Sequence, residues 1–438
     1  MTTLIFPLSR IEGHAQVSIE EVNGQVVSAR FQATELRGFE HFVHGIPAEQ
    51  MPVVVPRICG VCATAHHVAA VKTLEDIYNV VPPPLAHKIR ELLLLGQLIQ
   101  NQATSLFIFT MPDRMGLSSI FDSITKEYAD DVEIGNLTAH ALRVRQVGTN
   151  LITTAGGQFI HPVKAIVGGM TSGIPNEAAQ QMRESLVKAL PVACELFDLY
   201  WELSFRLRER IGTWGDDQPA YYLSSTGPSF PTYDSDILRL MGPDGEMHSS
   251  FTAKNLRDHL TYAESDYSYA GRTSVNGEVL RANSLARMNI VRTMGTPLAD
   301  KYLTSFRQAF GFPAHAILLY DMCRGIELVY AIERAIEILT QPLNEGPAAV
   351  PYTPQDGEGY GLVEAPRGPL VHHYVLENGV VKEAEFIIPT VHNLMAIERA
   401  LTVAANRYIN PERINLELDK AVGRVVRAFD PCIACATH

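Results

Sequence analysis

Four of the six cysteines in this 438-residue chain fall in two short runs near its opposite ends. One run is Arg57-Ile58-Cys59-Gly60-Val61-Cys62-Ala63-Thr64-Ala65-His66-His67, and the other is Asp430-Pro431-Cys432-Ile433-Ala434-Cys435-Ala436-Thr437-His438. Each presents two thiols at Cys-x-x-Cys spacing with an imidazole close behind. Thiolates are soft donors that select late transition metals and iron–sulfur chemistry, and two such pairs supply four of them. The bland alternative is a structural zinc, whose pairs normally lie about 15–20 residues apart in a small module. Here 370 positions separate Cys62 from Cys432, in a chain already large enough to need no staple. A mononuclear iron or small iron–sulfur site stays open, although the charged residues around the pairs exceed what either needs. Chain ends normally fray in solvent, so an end this dense in ligands implies burial. The two runs are expected to close on one metal site.

For them to meet, the frame must draw both ends inward. That argues for one domain spanning 1–438, although roughly 150 residues per domain would divide the chain into two or three. Around Asn23-Gly24, Ala15, Val17 and Ile19 alternate with polar residues, as do Val27, Ala29 and Phe31; this is a strong hairpin signal. Asn378-Gly379 joins a second pair of runs, 370–376 and 380–388. Helical patterns cover 66–78, 85–109, 136–154, 176–211 (interrupted at Pro191), 298–308, 314–339, 393–408 and 411–429. The stretch 214–279 is rich in Gly, Pro, Ser, Tyr and Asp and reads as extended loops with short strands. The expected fold is α+β and mainly helical: a large helical core with peripheral β-hairpins, both termini converging on the buried site.

Composition excludes several classes. A net charge of −12 and the lack of a basic tract argue against nucleic acid. No direct membrane span is expected, because the best candidate, 89–109, is interrupted by Arg90, Glu91, Gln97, Gln100 and Asn101. Met1-Thr2-Thr3-Leu4-Ile5-Phe6-Pro7 lacks the basic start and apolar run of a secretory signal. Six cysteines in so long a chain do not make a disulfide scaffold, and a cytoplasmic location is expected.

The two runs resemble the signatures of the nickel–iron hydrogenase large subunit, R-x-C-G-x-C-x-x-x-H and D-P-C-x-x-C-x-x-H. Further landmarks between them keep the family's order, so the resemblance spans the whole chain. It implies reversible heterolytic cleavage of dihydrogen, with Cys59 and Cys432 binding nickel terminally. Cys62 and Cys435 would bridge nickel to an iron carrying carbon monoxide and cyanide. A second ion, usually magnesium, would be held by Glu40, the Phe386 carbonyl and His438, the last being the residue that a maturation protease exposes after chaperones insert nickel.

The same resemblance makes Glu12, in Arg10-Ile11-Glu12-Gly13-His14, the relay for a proton leaving the Cys432 thiolate. A strand-end salt bridge is its structural alternative. Arg367, in Ala365-Pro366-Arg367-Gly368, would point its guanidinium at the open bimetallic position, fixed by Asp113 and Asp430; a buried structural ion pair is the alternative. Pro389 and Thr390 would hold one cyanide, and His66 would hydrogen-bond a bridging thiolate. His67 is expected on the helix surface, Arg57 in a structural role, and Cys194 and Cys323 in the core.

Lacking a third cysteine cluster, the chain implies that its electrons pass to an iron–sulfur small subunit. Arg287-Met288-Asn289-Ile290 and Gly295-Thr296-Pro297 look like the cytoplasmic bidirectional group, which couples through flavin and iron–sulfur subunits to NAD(P) or a deazaflavin. The alternatives are a hydrogen-sensing subunit, or a relative of the complex I quinone-site subunit. The second generally lacks these cysteine pairs.

Overall fold

Alternating side chains and the Asn23-Gly24 turn build an antiparallel meander of Thr2–Pro7, Ala15–Val22 and Gln25–Ala33. Both turn residues take positive φ (53° and 79°), as the tight twist-matched hairpin turn requires. Val17, Ile19, Ala29 and Phe31 face the core, whereas Val27 at the outer end is exposed. The first strand, Thr2–Pro7, is an addition to the expected hairpin. The computed structural model describes residues 1–124, 132–209, 215–227, 229–230, 235–409 and 416–437.

The helical core follows from apolar stripes at helical spacing. Its members are Ala63–Tyr78, Pro84–Ala103, Val132–Gly156, Asn176–Arg206, Leu319–Ile338, Pro389–Tyr408 and Leu416–Phe429. Pro191 sits inside its helix without ending it. Pro84–Ala103 runs on through a wider π-helical stretch, Thr104–Thr110, into Met111–Met115. Among the described residues, Pro84–Met115 is the one helix long and apolar enough to cross a membrane, but 72% of its apolar window is buried inside the protein. Within it Arg90 is fully buried and donates twice to Glu75, at 2.6 and 2.8 Å. It is a core helix.

The second expected hairpin also gains a strand. Gly357–Ala365, Gly368–Glu377 and Val380–Ile387 pair antiparallel in sequence order. The new pairing makes Pro366-Arg367 the two-residue tip of a hairpin closed by Ala365 opposite Gly368. Gly368 has φ 127°, and a Cβ there would lie 2.8 Å from Ala282 Cβ, so only glycine lets this tip dock so closely.

The largest departure lies in 214–279. The expected short strands are there, but they join into one six-stranded sheet rather than standing among loops. The order is Met247–Thr252, Ile237–Met241, Tyr221–Ser224, Glu278–Arg281, Arg272–Val275 and Thr261–Ala263. Tyr221–Ser224 and Glu278–Arg281 pair parallel, and the remaining neighbours antiparallel. Leu223, Leu238, Leu240, Val275 and Leu280 form a second apolar cluster that also takes Leu362 and Val371. This sheet therefore backs the strands carrying the Pro366-Arg367 tip.

Candidate metal centre

The first cysteine run turns out of a short helical segment, Val55–Ile58, into extended backbone at Cys59 (φ −150°, ψ 126°). Cys62 then caps the N-terminus of Ala63–Tyr78. Unpaired amides and the helix dipole favour negative charge at such a position. The Cys62 N–H donates to Cys59 Sγ at 3.4 Å, closing the knuckle on itself.

The second run leaves Leu416–Phe429 through Asp430, whose left-handed backbone (φ 49°) reverses the chain into the short turn Ile433–Ala436. Distant residues hold it. Glu12 makes an isolated parallel β-bridge with Cys432, and its carbonyl accepts from Ile433 N–H at 3.2 Å. Its carboxylate accepts from Ala434 N–H at 3.0 Å. The Thr390 hydroxyl accepts from Cys432 N–H at 3.0 Å, and Arg37 N–H donates to the Thr437 carbonyl at 2.9 Å. Gly13, at φ 80°, allows the approach, since a Cβ there would come within 2.7 Å of Ile433 Cβ.

These anchors bring the four thiols together. The sulfurs of Cys59, Cys62, Cys432 and Cys435 are buried and all lie within 4.8 Å of one another. Cys432 Sγ is 3.3 Å from Cys59, 3.6 Å from Cys62 and 2.8 Å from Cys435. A lone zinc with bonds of about 2.3 Å would space four sulfurs evenly, at about 3.8 Å; these separations are uneven and crowd around Cys432. Burial pushes the Cys432 and Cys435 thiols well up, while contact with Cys432 pulls Cys59 and Cys62 down. Four thiolates cannot share this volume unless cations offset their charge. The donor set fits a soft metal centre.

Charged and polar groups ring the sulfurs. Arg367 Nη1 donates to Cys62 Sγ at 3.3 Å, Nη2 to Asp430 Oδ1 at 3.1 Å, and Nε to the Asp430 carbonyl. Burial acts to lower the Arg367 pKa, but Asp430 and the sulfurs outweigh it and hold the guanidinium charged. Asp430 is steadied in turn by the Asn101 amide at 3.0 Å. Glu12 Oε2 lies 3.1 Å from Cys432 Sγ. Burial, and then the charge of Cys59, raises the pKa of its carboxyl. His66 Nε2 lies 3.5 Å from Cys435 Sγ. Pro389 and Thr390 line a small cleft against Cys62, Arg367 and Cys435.

Two expectations are corrected. Asp113 does not hold Arg367. Its carboxylate instead pairs with Arg10 at 2.6 Å and with Arg427 at 2.8 and 3.0 Å. Sequence marks a carboxylate as needing a cation but not which one, and in the fold Arg10 and Arg427 reach it. His67 is not a surface residue either. It is fully buried, with Pro52 O 2.7 Å from Nδ1 and Ala165 N–H donating to Nε2 at 3.2 Å.

Of the proposed second-ion ligands, Glu40 Oε1 accepts from the Phe386 amide at 3.0 Å, which places both residues together; His438 lies outside the described residues. Arg57 is exposed and donates to the Val53 carbonyl, Cys323 is in the core, and Cys194 is partly buried.

Sequence reasoning missed three residues. Arg287 donates to the carbonyls of Ala365 (3.1 Å) and Pro366 (2.7 Å), pinning the tip that carries Arg367, while Glu327 and Glu364 balance its charge. His372 and Tyr374 extend the contact of His66 inward. The strand 368–377 and its partner 380–387 are legible in the sequence, but its other partner, 357–365, is not.

The chain matches the family model described as nickel-dependent hydrogenase over residues 37–122 and 231–438, and a HoxL-like model over residues 2–36. It is 34% identical to a vhu subunit of the F420-non-reducing hydrogenase of Methanocaldococcus jannaschii, over 92% of this chain and 98% of that one. It is 28% identical to the NAD-reducing hydrogenase HoxS subunit beta of Cupriavidus necator, over 99% of this chain and 94% of that one. The crystal structure of an NAD+-reducing nickel–iron hydrogenase in its H2-reduced state superposes with a TM-score of 0.93 at 28% identity, covering 100% of both chains.

Proposed function

The chain belongs to the nickel-dependent hydrogenase family, and from that premise we propose how its residues divide the work of splitting dihydrogen. One observation carries the reading: four sulfurs from opposite chain ends form a single buried cluster, with Glu12 on one side and Arg367 on another. Cys59 and Cys432 would hold nickel, and Cys62 and Cys435 would be shared between it and an iron, for which the family resemblance implies carbon monoxide and cyanide as further ligands. When bound, the pair supplies the Lewis-acidic and redox chemistry that polarises dihydrogen and accepts its electrons.

The protein supplies the rest. Cys432 Sγ passes the released proton to Glu12 Oε2, a single 3.1 Å transfer to a carboxylate made more basic by burial. Arg367, locked on Asp430, keeps one fixed positive charge beside the sulfurs without reorganising. Pro389 and Thr390 would shape the wall for the diatomic ligands, while Glu40 and the Phe386 carbonyl, with His438, would hold a magnesium ion. Asp113 acts one layer further out, fixing Arg10 and Arg427 behind the C-terminal knuckle.

Electrons leave through an iron–sulfur small subunit, then through flavin and iron–sulfur subunits, in the cytoplasm, with a maturation protease and nickel chaperones assembling the site. The final acceptor is narrowed by the relatives. One is named NAD-reducing and several are named F420-non-reducing, which weighs against the deazaflavin and favours NAD(P). Metal analysis with infrared spectroscopy tests the centre: near-equal nickel and iron with carbonyl and cyanide stretches is expected, and zinc alone would end the reading. Hydrogen-driven reduction of NAD+, NADP+ and the deazaflavin, assayed side by side, tests the acceptor.

A further inference from the structure

A buried hydrogen-bond chain runs away from the sulfurs, starting at Cys435. His66 Nε2 faces Cys435 Sγ at 3.5 Å, and its Nδ1 lies 2.9 Å from His372 Nε2. His372 Nδ1 lies 2.6 Å from the Tyr374 hydroxyl. His66, His372 and Tyr374 are all buried, at 1%, 0% and 0% exposure. The Phe386 ring packs edge-on against both outer members, with centroids 4.8 Å from His372 and 6.3 Å from Tyr374.

Each neutral imidazole has one N–H donor and one acceptor nitrogen, so the chain must point one way or the other. If Cys435 is a thiolate, it can only accept, which puts the His66 proton on Nε2. His66 Nδ1 is then an acceptor, and His372 must donate from Nε2. His372 Nδ1 in turn accepts from Tyr374 O–H. Burial raises the Tyr374 pKa well above that of a free phenol, so the hydroxyl keeps its proton. The reverse direction would aim a lone pair of His66 at the sulfur.

We propose that His372 and Tyr374 are positioning residues that polarise this chain toward Cys435, fixing His66 as a donor to the sulfur. The inference rests on the reading of Cys435 as a metal-bound thiolate. Donation to a ligating sulfur withdraws charge from it and so tunes the metal electronically, and loss of such outer partners typically costs about 10–100-fold in affinity or activity.

Neutron diffraction of the assembled, metal-replete, deuterium-exchanged enzyme reads the direction. Deuterons on His66 Nε2, His372 Nε2 and the Tyr374 oxygen support the proposal, and a deuteron on His66 Nδ1 overturns it. In metal-replete enzyme the consequence is read from nickel paramagnetic-resonance g-values together with the pH profile of hydrogen oxidation. His372→Leu and Tyr374→Phe should shift both, with activity down about 10–100-fold for His372→Leu. His372→Gln, whose amide can still donate to His66, should restore the wild-type spectrum. Unchanged g-values in His372→Leu and Tyr374→Phe at full nickel content overturn the positioning role. Nickel and iron missing from the wild type would instead sink the metal-centre reading, a separate result from the proton positions.

Discussion

The two cysteine knuckles do the same job with opposite construction. Cys59 and Cys62 are held locally: a helical turn leads in, Cys62 starts a sixteen-residue buried helix, and the Cys62 amide closes on Cys59. Cys432 and Cys435 hang on a four-residue turn beyond the last long helix, too short to be stable alone. Glu12, Arg37 and Thr390 hold that turn, all far away in sequence. One knuckle is built by its own helix, and the other is pinned by a strand turn, a loop and a neighbouring helix. The N-terminal pair is accordingly preorganised, while the C-terminal pair assembles only when the rest of the fold is in place.

The most severe break treats the knuckles alike. Cys59→Ala and Cys432→Ala each remove a donor from the sulfur cluster, and both should lose nickel and all hydrogen-driven dye reduction. Atomic absorption and activity on the same preparations check this, and a fully active Cys432→Ala enzyme would falsify the four-sulfur site.

Glu12 separates anchoring from chemistry. Its carboxylate both faces Cys432 Sγ and accepts from Ala434 N–H. Glu12→Gln keeps a carbonyl for the amide but removes the proton acceptor, so nickel content should stay while turnover falls about 10²–10⁴-fold. Glu12→Ala removes both functions and should lower nickel occupancy as well. Equal turnover in Glu12→Gln and wild type would remove the residue from the proton route.

A milder cut tests the pinning directly. Thr390→Val strands the buried Cys432 amide without its acceptor, at about 1–3 kcal/mol, whereas Thr390→Ser keeps it. Proteolysis at the C-terminus should speed up in the valine variant only. Identical protection of the two variants would show that Thr390 does not hold the turn.

Much of this was legible, for unequal reasons. Cysteine spacing revealed the knuckles because ligand chemistry restricts which residues can stand there. The helices showed through because buried apolar stripes repeat over many turns. The six-stranded sheet was missed because its strands are three to six residues long, giving at most a few alternations. One clue was there: Asn276-Gly277, at φ 52° and 85°, is the same hairpin turn as the two that were recognised. Partner choice was beyond reach. Nothing local to Asp113 distinguishes Arg367 from Arg10 and Arg427, and nothing local to His67 says that Pro52 and Ala165 bracket its ring. Pattern reports which face is buried, and only the assembled fold reports against what.

The smallest effect concerns acid. Each knuckle has a buried neutral histidine on its neighbouring helix: His67 on Ala63–Tyr78, and His392 on Pro389–Tyr408. Burial lowers both pKa values to about 4. The folded state therefore resists protonation, while the unfolded chain takes up a proton near the ordinary value of about 6.5. Stability is intact above that value and falls as the pH drops toward about 4, by about 2 kcal/mol per histidine between pH 7 and pH 5. The two sites should nonetheless respond differently to mutation. His67 makes two hydrogen bonds, so His67→Leu strands the Ala165 amide and loses stability at neutral pH while flattening the acid slope. His392 has no hydrogen-bond partner for either ring nitrogen among the described residues. His392→Leu should therefore flatten the slope with little loss at pH 7. Denaturant titrations at pH 5 and 7 decide it: an unaltered pH slope in His392→Leu would show that this ring is not the buried neutral group the fold makes it.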